Sequence, residues 1–256
     1  MSCPKNRLQQ QTGFSLIELM IALTIGLLLI AGLGTILFSV RSSYLTQDGL
    51  TRMQEGQRFF LTSLNNSVQT AGYFIDPVND SALNALPASG NNPDGSSFAA
   101  GQSITGTAGA TPTTSDTVNT RYQSASDDDA MNCLGGTNTS GAPVVWINSF
   151  FVDASHQLNC TAKTIGTATP PTSRTEVLVS NVAKMKVLYG VGVNGDGQTS
   201  RYLDATQVTA WQDVVSVKVT ITQEDLVNGN PASPNLAPLV HVINLMNSGS
   251  RRVKGP

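Results

Sequence analysis

Residues 13–40 read GFSLIELMIALTIGLLLIAGLGTILFSV and carry a single charged side chain, that of Glu18. An α-helix rises 1.5 Å per residue, so residues 14–40 would form a helix about 40 Å long. This length exceeds the ~30 Å hydrocarbon core of a lipid bilayer. The stretch therefore predicts a helix that spans a membrane.

The residues that flank this stretch predict its orientation. Lys5 and Arg7 precede it with no acidic residue nearby, and Arg41 is the only basic residue directly after it. Segments rich in Lys and Arg are retained on the cytoplasmic side of a membrane. We therefore expect a cytoplasmic N-terminus, with the bulk of the chain on the other side.

An ordinary secretory signal peptide does not account for this N-terminus. The apolar run is longer than the ~7–15 residues of such a signal, and no small-residue cleavage site follows it. The natural break instead precedes the run, at Thr12-Gly13-Phe14. A carboxylate in a membrane segment costs roughly 2.5–3.5 kcal/mol, which predicts a functional role for Glu18. The alternative is a tolerated polar residue near the membrane edge whose carboxylate reaches the headgroups.

Residues 13–20, GFSLIELM, closely resemble the leader-and-helix motif of the type IV pilin superfamily. That motif consists of a short basic leader, a glycine, an apolar residue that is usually Phe, and a Glu five residues into the mature chain. The resemblance implies that residues 1–13 are a leader. It also implies that a prepilin peptidase cuts between Gly13 and Phe14 on the cytoplasmic side and N-methylates Phe14.

Cleavage at this position would create a partner for Glu18. The new α-amino group of Phe14 on an adjoining subunit can pair with the carboxylate, and a buried charge without a partner is strongly unfavourable. Such a pair would favour one axial offset between neighbouring helices. We therefore predict that Glu18 sets the register of assembly.

The helical pattern continues beyond the apolar stretch. Leu50, Met53, Phe60, Leu64 and Val68 recur at or near helical spacing among polar residues, and no proline occurs between residues 14 and 75. Gly72 and Asp76-Pro77 are typical stop signals. We predict one helix over residues 14–71, with a transmembrane or filament-core part at 14–40. The remainder, residues 41–72, is predicted to be amphipathic.

Two further regions follow the helix. Residues 73–142 are rich in Gly, Ser, Thr, Asn and Pro and predict long loops of variable character. Residues 143–256 contain several β-branched and aromatic runs typical of strands, with Ala154-Ser155-His156 and Asn194-Gly195-Asp196-Gly197 as hairpin turns. The second turn lacks the flanking acidic residues of a calcium loop. The expected fold class is α+β, an antiparallel sheet packed on the amphipathic half of the helix.

Three cysteines are present, and one of them, Cys3, lies in the leader. An exported chain would carry Cys133 and Cys160 into an oxidising compartment, which predicts a disulfide between them. On the chain-entropy account this bond would stabilise the fold by roughly 3–4 kcal/mol. The alternative is two unpaired thiols.

Little in the sequence indicates catalysis or cofactor binding. The two histidines, His156 and His241, fall at a predicted turn and in a predicted strand, and the chain has no recognisable zinc, nucleophile-elbow or phosphate-loop motif. The run Asp127-Asp128-Asp129 is more typical of a solvated surface than of a metal site. Without the leader the chain has 13 basic and 17 acidic residues, which does not favour nucleic-acid binding. We expect neither an enzyme nor a cofactor.

The sequence after the predicted helix, called the head from here on, strengthens the resemblance and narrows it to PilW-type minor pilins. The similar stretches are residues 69–73 (QTAGY), 187–191 (VLYGV), Arg201-Tyr202, and Trp211 followed by VVSVKV at 214–219. This family implies an inner-membrane protein that primes assembly of a type IV pilus and lies near its tip. The implied partners are a prepilin peptidase, other minor pilins, the major pilin, the inner-membrane assembly platform and membrane lipid.

Two other functions remain open from the sequence alone. A type II secretion pseudopilin shares the leader and helix but builds a short periplasmic pseudopilus. A permanently anchored binding protein would keep its leader uncut.

Overall fold

The computed structural model describes residues 13, 15–165, 172–192, 197–224 and 238–247, apart from the side chains of residues 52 and 53. Its first element is a 55-residue helix, α1, Leu16–Thr70. This confirms the predicted long N-terminal helix to within two residues at each end. The chain divides into two compact units, one ending at Leu50 and the other beginning at Thr51.

The C-terminal part of α1 packs against the head through one apolar stripe. Phe60, Leu64 and Val68 follow one another at intervals of four residues, which places them on one face of the helix. Each is at most 1% exposed. Leu50, which belongs to the predicted stripe, is 38% exposed. The buried contact of the helix is therefore shorter than the amphipathic pattern.

Helix α1 ends at a glycine with a positive φ. Gly72 has φ +79°, and its N–H donates to the carbonyl of Arg121 at 2.8 Å. A Cβ atom at this position would lie 2.6 Å from the carbonyl oxygen of Asn247. The position therefore requires glycine for its backbone conformation and for its close contact with the C-terminal segment.

The first part of the head is a five-stranded antiparallel sheet. Its strands lie side by side in chain order. They are β1 (Ile104–Thr107), β2 (Thr117–Ser124), β3 (Val144–Val152), β4 (Leu158–Ile165) and β5 (Ser173–Val179). A four-residue helix, α2 (Ala82–Ala85), precedes β1.

The second part is a four-stranded antiparallel sheet in the order β7-β6-β8-β9. The strands are β6 (Val182–Val191), β7 (Arg201–Leu203), β8 (Val214–Gln223) and β9 (Leu239–Asn244). Both sheets and the stripe of α1 contribute to one hydrophobic core. The fold class is α+β as predicted, but the described residues form two sheets where the sequence led us to expect one.

Asp116 joins the two sheets. Its backbone N–H donates to the carbonyl of Met185 at 2.9 Å, and its carboxylate accepts from the N–H of Val187 at 2.8 Å. The Nζ of Lys186 lies 2.8 Å from the same carboxylate. On one side of β6, Val187 pairs with β8. On the other side β7 reaches no further than Tyr189, and the carboxylate of Asp116 accepts from the N–H of Val187 there.

The head strands agree with the prediction more closely than the loop region does. The runs predicted after residue 143 correspond to β3–β9, including the hairpin of β3 and β4 around His156. Within the predicted loop region, however, β1 and β2 form part of the five-stranded sheet. Their sequences, ITGT and TVNTRYQS, lack the regular apolar alternation of a half-exposed strand because β2 is covered on both faces.

Candidate assembly site

The N-terminus of α1 holds the residues of the predicted processing site. The carbonyl oxygen of Ser15 accepts from the N–H of Glu18 at 3.0 Å and from that of Leu19 at 3.2 Å, which begins the helix. Gly13 is exposed, and Phe14 lies outside the described residues. Cleavage after Gly13 and methylation of Phe14 therefore stay predictions.

Glu18 lies in the first turn of this helix. A negative charge there interacts favourably with the helix dipole, by roughly 0.3–1 kcal/mol at an exposed position. Its apolar neighbours are also exposed, Leu16 by 77% and Ile17 by 65%. Among the described residues none forms an ion pair with Glu18. Its carboxylate is thus available to a group on another chain.

The N-terminal part of α1 presents apolar side chains on every side. Within the described residues it is the one helix long and apolar enough to cross a membrane, and the apolar window has none of its residues buried. Nearly all of the large apolar residues from Leu16 to Leu45 are more than half exposed. Such a surface requires lipid or other helices around it.

Three glycines interrupt this apolar surface. Gly26, Gly32 and Gly34 lie inside α1, where a glycine costs about 1 kcal/mol relative to alanine. No atom of the described residues lies within 4 Å of a Cβ built at any of them. The contacts within this chain therefore do not require glycine at these positions.

The predicted cysteine pair is joined in the structure. Cys133 and Cys160 form a disulfide with a Cα–Cα distance of 6.4 Å, within the usual range. Cys160 lies on β4, and the N–H of Cys133 donates to the Oδ1 of Asn148 on β3 at 3.0 Å. The bond attaches the loop before β3 to the face of the sheet that packs on α1.

The acidic run and one of the two histidines, His156, have structural contacts. Asp128 accepts hydrogen bonds from the N–H of Ala125 at 2.8 Å and from the Oγ of Ser124 at 2.7 Å, which shapes a turn. His156 contacts the carboxylate of Glu224 through Nδ1. In the part of the chain that the structure describes, no group of three or more metal-ligating side chains comes together. Most of the turn at residues 194–197 lies outside that part, with Gly197 at φ +73° the described exception.

The sequence does not single out two polar clusters of the head. One surrounds Arg121, which is fully buried on β2, and the other surrounds Asp94, whose carboxylate accepts from Asn119 and Ser96. The alternation of polar residues in β2 was the only available signal. It places Asn119 and Arg121 on one face of the strand but does not show that the preceding loop covers that face.

Two segments of the chain match known protein families. Residues 8–34 match the family described as the prokaryotic N-terminal methylation motif. Residues 149–236, which include the end of β3 and all of β4 to β8, match the family described as Type IV Pilus-assembly protein W. No curated protein matches the chain as a whole or in part.

These two matches agree with the geometry described above. The methylation motif implies processing by a prepilin peptidase, and it covers the start of α1 with Gly13 and Glu18. The second match covers β4 to β8, which belong to the two sheets that pack against the other end of this helix. The chain is therefore similar to the PilW family of type IV pilus-assembly proteins over residues 149–236, and it carries the N-terminal methylation motif over residues 8–34.

Proposed function

We propose that the chain is a minor pilin that primes assembly of a type IV pilus and then lies near the filament tip. In this proposal residues 1–13 are removed, Phe14 is methylated and residues 14–40 leave the bilayer for the filament core. Residues 41–72 carry the head, with residues 73–142, which include β1 and β2, as its variable part and 143–256 as the rest of its sheet framework. The observation that carries the proposal is the exposed apolar surface of α1 with Glu18 in its first turn.

Charge pairing gives Glu18 its role in assembly. Glu18 cannot enter a bundle of apolar helices as an unpaired carboxylate without a large desolvation penalty. Cleavage exposes an amine at Phe14 of a neighbouring subunit, and this amine carries one positive charge. It would lie at the helix terminus, at the same depth in the bilayer as Glu18. Pairing the two charges favours one axial offset and penalises every other.

The three glycines support packing between helices. Lipid and protein surroundings are almost equally apolar, so association in a bilayer depends on close packing and polar contacts. Gly26, Gly32 and Gly34 have no close neighbour among the described residues of their own chain. They leave room for a neighbouring helix to approach the backbone of α1. Close packing compensates for their low helix propensity.

The flanking charges and the disulfide support one orientation. Lys5 and Arg7 favour a cytoplasmic N-terminus, which places the head in the periplasm before assembly. The disulfide between Cys133 and Cys160 is typical of that oxidising compartment. The partners in this proposal are the prepilin peptidase, the other minor pilins, the major pilin, the assembly platform and lipid.

The N-terminus of the purified protein tests the processing step. Mass spectrometry should find a mature chain that begins with methylated Phe14. Gly13→Leu should leave the full precursor in the inner membrane, because the peptidase needs a small residue before the cut. A wild-type chain that still begins at Met1 would overturn the proposal and favour a permanently anchored protein.

Assembly is tested separately from processing. Glu18→Ala should be cleaved normally but should be nearly absent from sheared pili, since the register pair is lost. Glu55→Ala provides the matched control, because Glu55 is an exposed acid of the same helix outside the apolar part. Equal incorporation of both variants would show that Glu18 does not set the register.

Deletion of the gene should reduce piliation, whereas loss of type II secretion with normal pili would identify a pseudopilin instead.

A further inference from the structure

Strand β5, Ser173–Val179, is the last strand of the five-stranded sheet and has one open edge. Among the described residues only β4 pairs with it. Thr172 and the first five residues of β5 are all exposed, which shows that neither the edge nor the faces of this part are covered. An unpaired strand edge presents backbone donors and acceptors to which a further strand can bind.

The hydrogen bonds with β4 show which residues of β5 face the open edge. The N–H of Thr164 on β4 donates to the carbonyl of Thr172 at 2.9 Å. Successive residues of an antiparallel strand direct their backbone groups to opposite sides, so Arg174 and Glu176 bond to β4 as Thr172 does. The residues whose N–H and C=O groups point away from β4 are Ser173, Thr175 and Val177.

The charged side chains of β5 make this edge selective. The Nε of Arg174 donates to the Oε1 of Glu176 at 2.8 Å, and the two side chains are 75% and 49% exposed. Charges on edge strands commonly prevent pairing with other chains. Two charges of opposite sign instead attract a strand with the complementary charges at the facing positions and repel a strand with the reverse order.

A cavity of about 180 Å³ lies beside the same part of β5. Its lining includes Thr172 and Arg174 of β5, Ala162 of β4, Trp146 of β3, and Leu134 of the loop before β3. Because β5 is the last strand, this cavity reaches the edge of the sheet. A strand added to β5 would place the residue opposite Thr172 next to the cavity, where an apolar side chain is favoured.

We propose that β5 binds an extended segment of another protein, which joins the five-stranded sheet as a further antiparallel strand. Antiparallel pairing agrees with every strand pair described in the head. The segment carries a basic residue opposite Glu176, an acidic residue two positions later opposite Arg174, and an apolar residue after two more positions opposite Thr172. The site is separate from α1 and does not depend on the role of Glu18 in assembly.

The sequence of β5 itself satisfies these requirements and supplies a probe. When a peptide of residues 172–179, TSRTEVLV, is aligned antiparallel with Thr175 opposite its own central Thr, its Glu faces Arg174 and its Arg faces Glu176. Its Leu lies opposite Thr172. The charged residues then occupy the non-hydrogen-bonded pairs, in which side chains are closest, and the outward backbone groups of Thr175 occupy a hydrogen-bonded pair.

The partner is a different protein and not a second copy of this chain. α1 lies across the face of this sheet, with Phe60 against Phe150 of β3 and Gly56 beside Val179 of β5. Pairing of two copies through β5 would have two-fold symmetry about an axis normal to the sheet, so the two α1 helices would run in opposite directions. Subunits inserted in one membrane in the same orientation do not meet this condition.

Binding is tested with the full-length protein in detergent and a fluorescent TSRTEVLV peptide, by fluorescence anisotropy. The matched control is TSETRVLV, which has the same composition and the reverse order of charges. We expect a Kd on the order of 0.1 mM for the first peptide and binding about tenfold weaker for the control. Equal binding of the two peptides, or binding of neither, would overturn the proposal.

Exchange of the charges on the protein provides a second test that leaves the backbone unchanged. In the double variant Arg174→Glu and Glu176→Arg the facing charges are reversed, so this protein should prefer TSETRVLV by a similar factor. Both residues are exposed, and Tm should stay close to that of wild type. A double variant that still prefers TSRTEVLV would contradict strand addition at this edge.

Thr175 tests the backbone contact. Thr175→Pro removes an N–H that points away from β4 and should weaken peptide binding by about tenfold. Thr175→Val keeps this N–H and loses the same hydroxyl contact with Thr161 as the proline variant does, so it should bind within about threefold of wild type. Equal affinities of the two variants would overturn the proposal.

Thr175→Cys distinguishes the partner from a second copy. Two copies paired through β5 would place their Thr175 residues opposite each other at about 5.5 Å between Cα atoms, within the range of a disulfide. We expect no disulfide-linked dimer of this variant in the inner membrane. A dimer that forms there would identify a second copy as the occupant and overturn the assignment to a different protein.

Discussion

Two polar segments cover opposite faces of the five-stranded sheet and are held there in different ways. Residues 81–102, the outer segment, lie on the face that carries Arg121 and Asn119. Residues 125–142, the inner segment, lie on the face that also packs against α1 and are attached to β4 by the disulfide Cys133–Cys160. The outer segment is held by hydrogen bonds, four of them from the buried Arg121, and the inner segment is also held by a covalent bond.

Arg121 holds the outer segment through its backbone. Its Nε donates to the carbonyl of Gln102 at 2.6 Å, and its Nη atoms donate to the carbonyls of Leu86, Pro87 and Ala99. The guanidinium also lies 4.6 Å from the ring centroid of Phe98. Burial lowers the pKa of Arg121 to about 10. The group is still charged at neutral pH, and four carbonyl dipoles replace the carboxylate that usually pairs with a buried arginine.

The two attachments differ in whether they act on the unfolded chain, the folded chain or both. The disulfide restricts the unfolded chain as well as the folded one, so it stabilises the head largely by reducing the entropy gained on unfolding. Arg121 acts only after β2 and the outer segment have come together. Each variant below changes one attachment and should affect one segment more than the other.

The largest effect is expected for Arg121→Met. This variant removes the charged donor from four carbonyls, of which those of Leu86 and Ala99 keep a backbone N–H donor, and we expect a loss of about 3–5 kcal/mol in the free energy of unfolding. Hydrogen exchange should show the loss concentrated in residues 81–102. Arg174→Met serves as the control, because Arg174 forms an exposed pair with Glu176 that is worth about 0–1 kcal/mol. Equal exchange rates for both variants would show that Arg121 does not hold the outer segment.

Removal of the disulfide should have a slightly smaller effect. The double variant Cys133→Ala and Cys160→Ala should lose about 3–4 kcal/mol, with faster exchange in residues 125–142 rather than in 81–102. Urea unfolding of the wild type with and without a reductant measures the same loss by a second route. A reductant that leaves the wild-type midpoint unchanged would contradict this prediction.

A weaker contact of the inner segment is the turn at Asp128. Asp128→Ala removes the acceptor for Ser124 and for the N–H of Ala125, and we expect a loss of about 1–2 kcal/mol. Asp129→Ala, at an exposed neighbour, should stay within about 0.5 kcal/mol of wild type. Thermal unfolding of the two variants distinguishes a structural turn from a merely solvated acidic run.

The smallest effect is expected at low pH in the outer segment. Desolvation raises the pKa of Asp94, but hydrogen bonds from Thr117, Ser96 and Asn119 outweigh it and lower the pKa below the ordinary value. The folded state thus holds this proton less tightly than the unfolded state does. The resulting stability is present above about pH 4 and is lost as the pH falls through the folded pKa. The advantage of wild type over Asp94→Asn, measured by unfolding from pH 7 to 3, should shrink below pH 4.

The inner segment was more predictable than the outer one for a physical reason. Two cysteines in a chain that is expected to be exported leave one pairing, so the sequence alone predicts Cys133–Cys160. Arg121 instead contacts carbonyls that lie 19 to 35 residues earlier in the chain. Every residue has a backbone carbonyl, so the sequence does not show which carbonyls accept hydrogen bonds from Arg121. Thr117, Asn119, Arg121 and Gln123 are polar residues at alternate positions of β2, but this spacing does not indicate that a loop covers their face.

The division of the strands into two sheets could not be predicted from the sequence for a related reason. Strand periodicity predicts β3–β9 and the turns that join several of them, because neighbouring residues alternate between faces. It does not show where one sheet ends, since that depends on contacts such as those of Asp116 with β6. The open edge of β5 has the same origin. It depends on which segments pair with that strand, and among the described residues only β4 does.

The sequence by itself determined the long helix, its apolar N-terminal part, the methylation motif and the similarity to the PilW family. These are local properties, because a hydrophobic run, a glycine before a Phe and a Glu at fixed spacing act within a few residues of one another. Only the tertiary structure decided that Arg121 and a disulfide hold the two faces of one sheet and that β5 lies at an open edge of it. Those arrangements depend on contacts between distant segments, which come together only after the chain has folded.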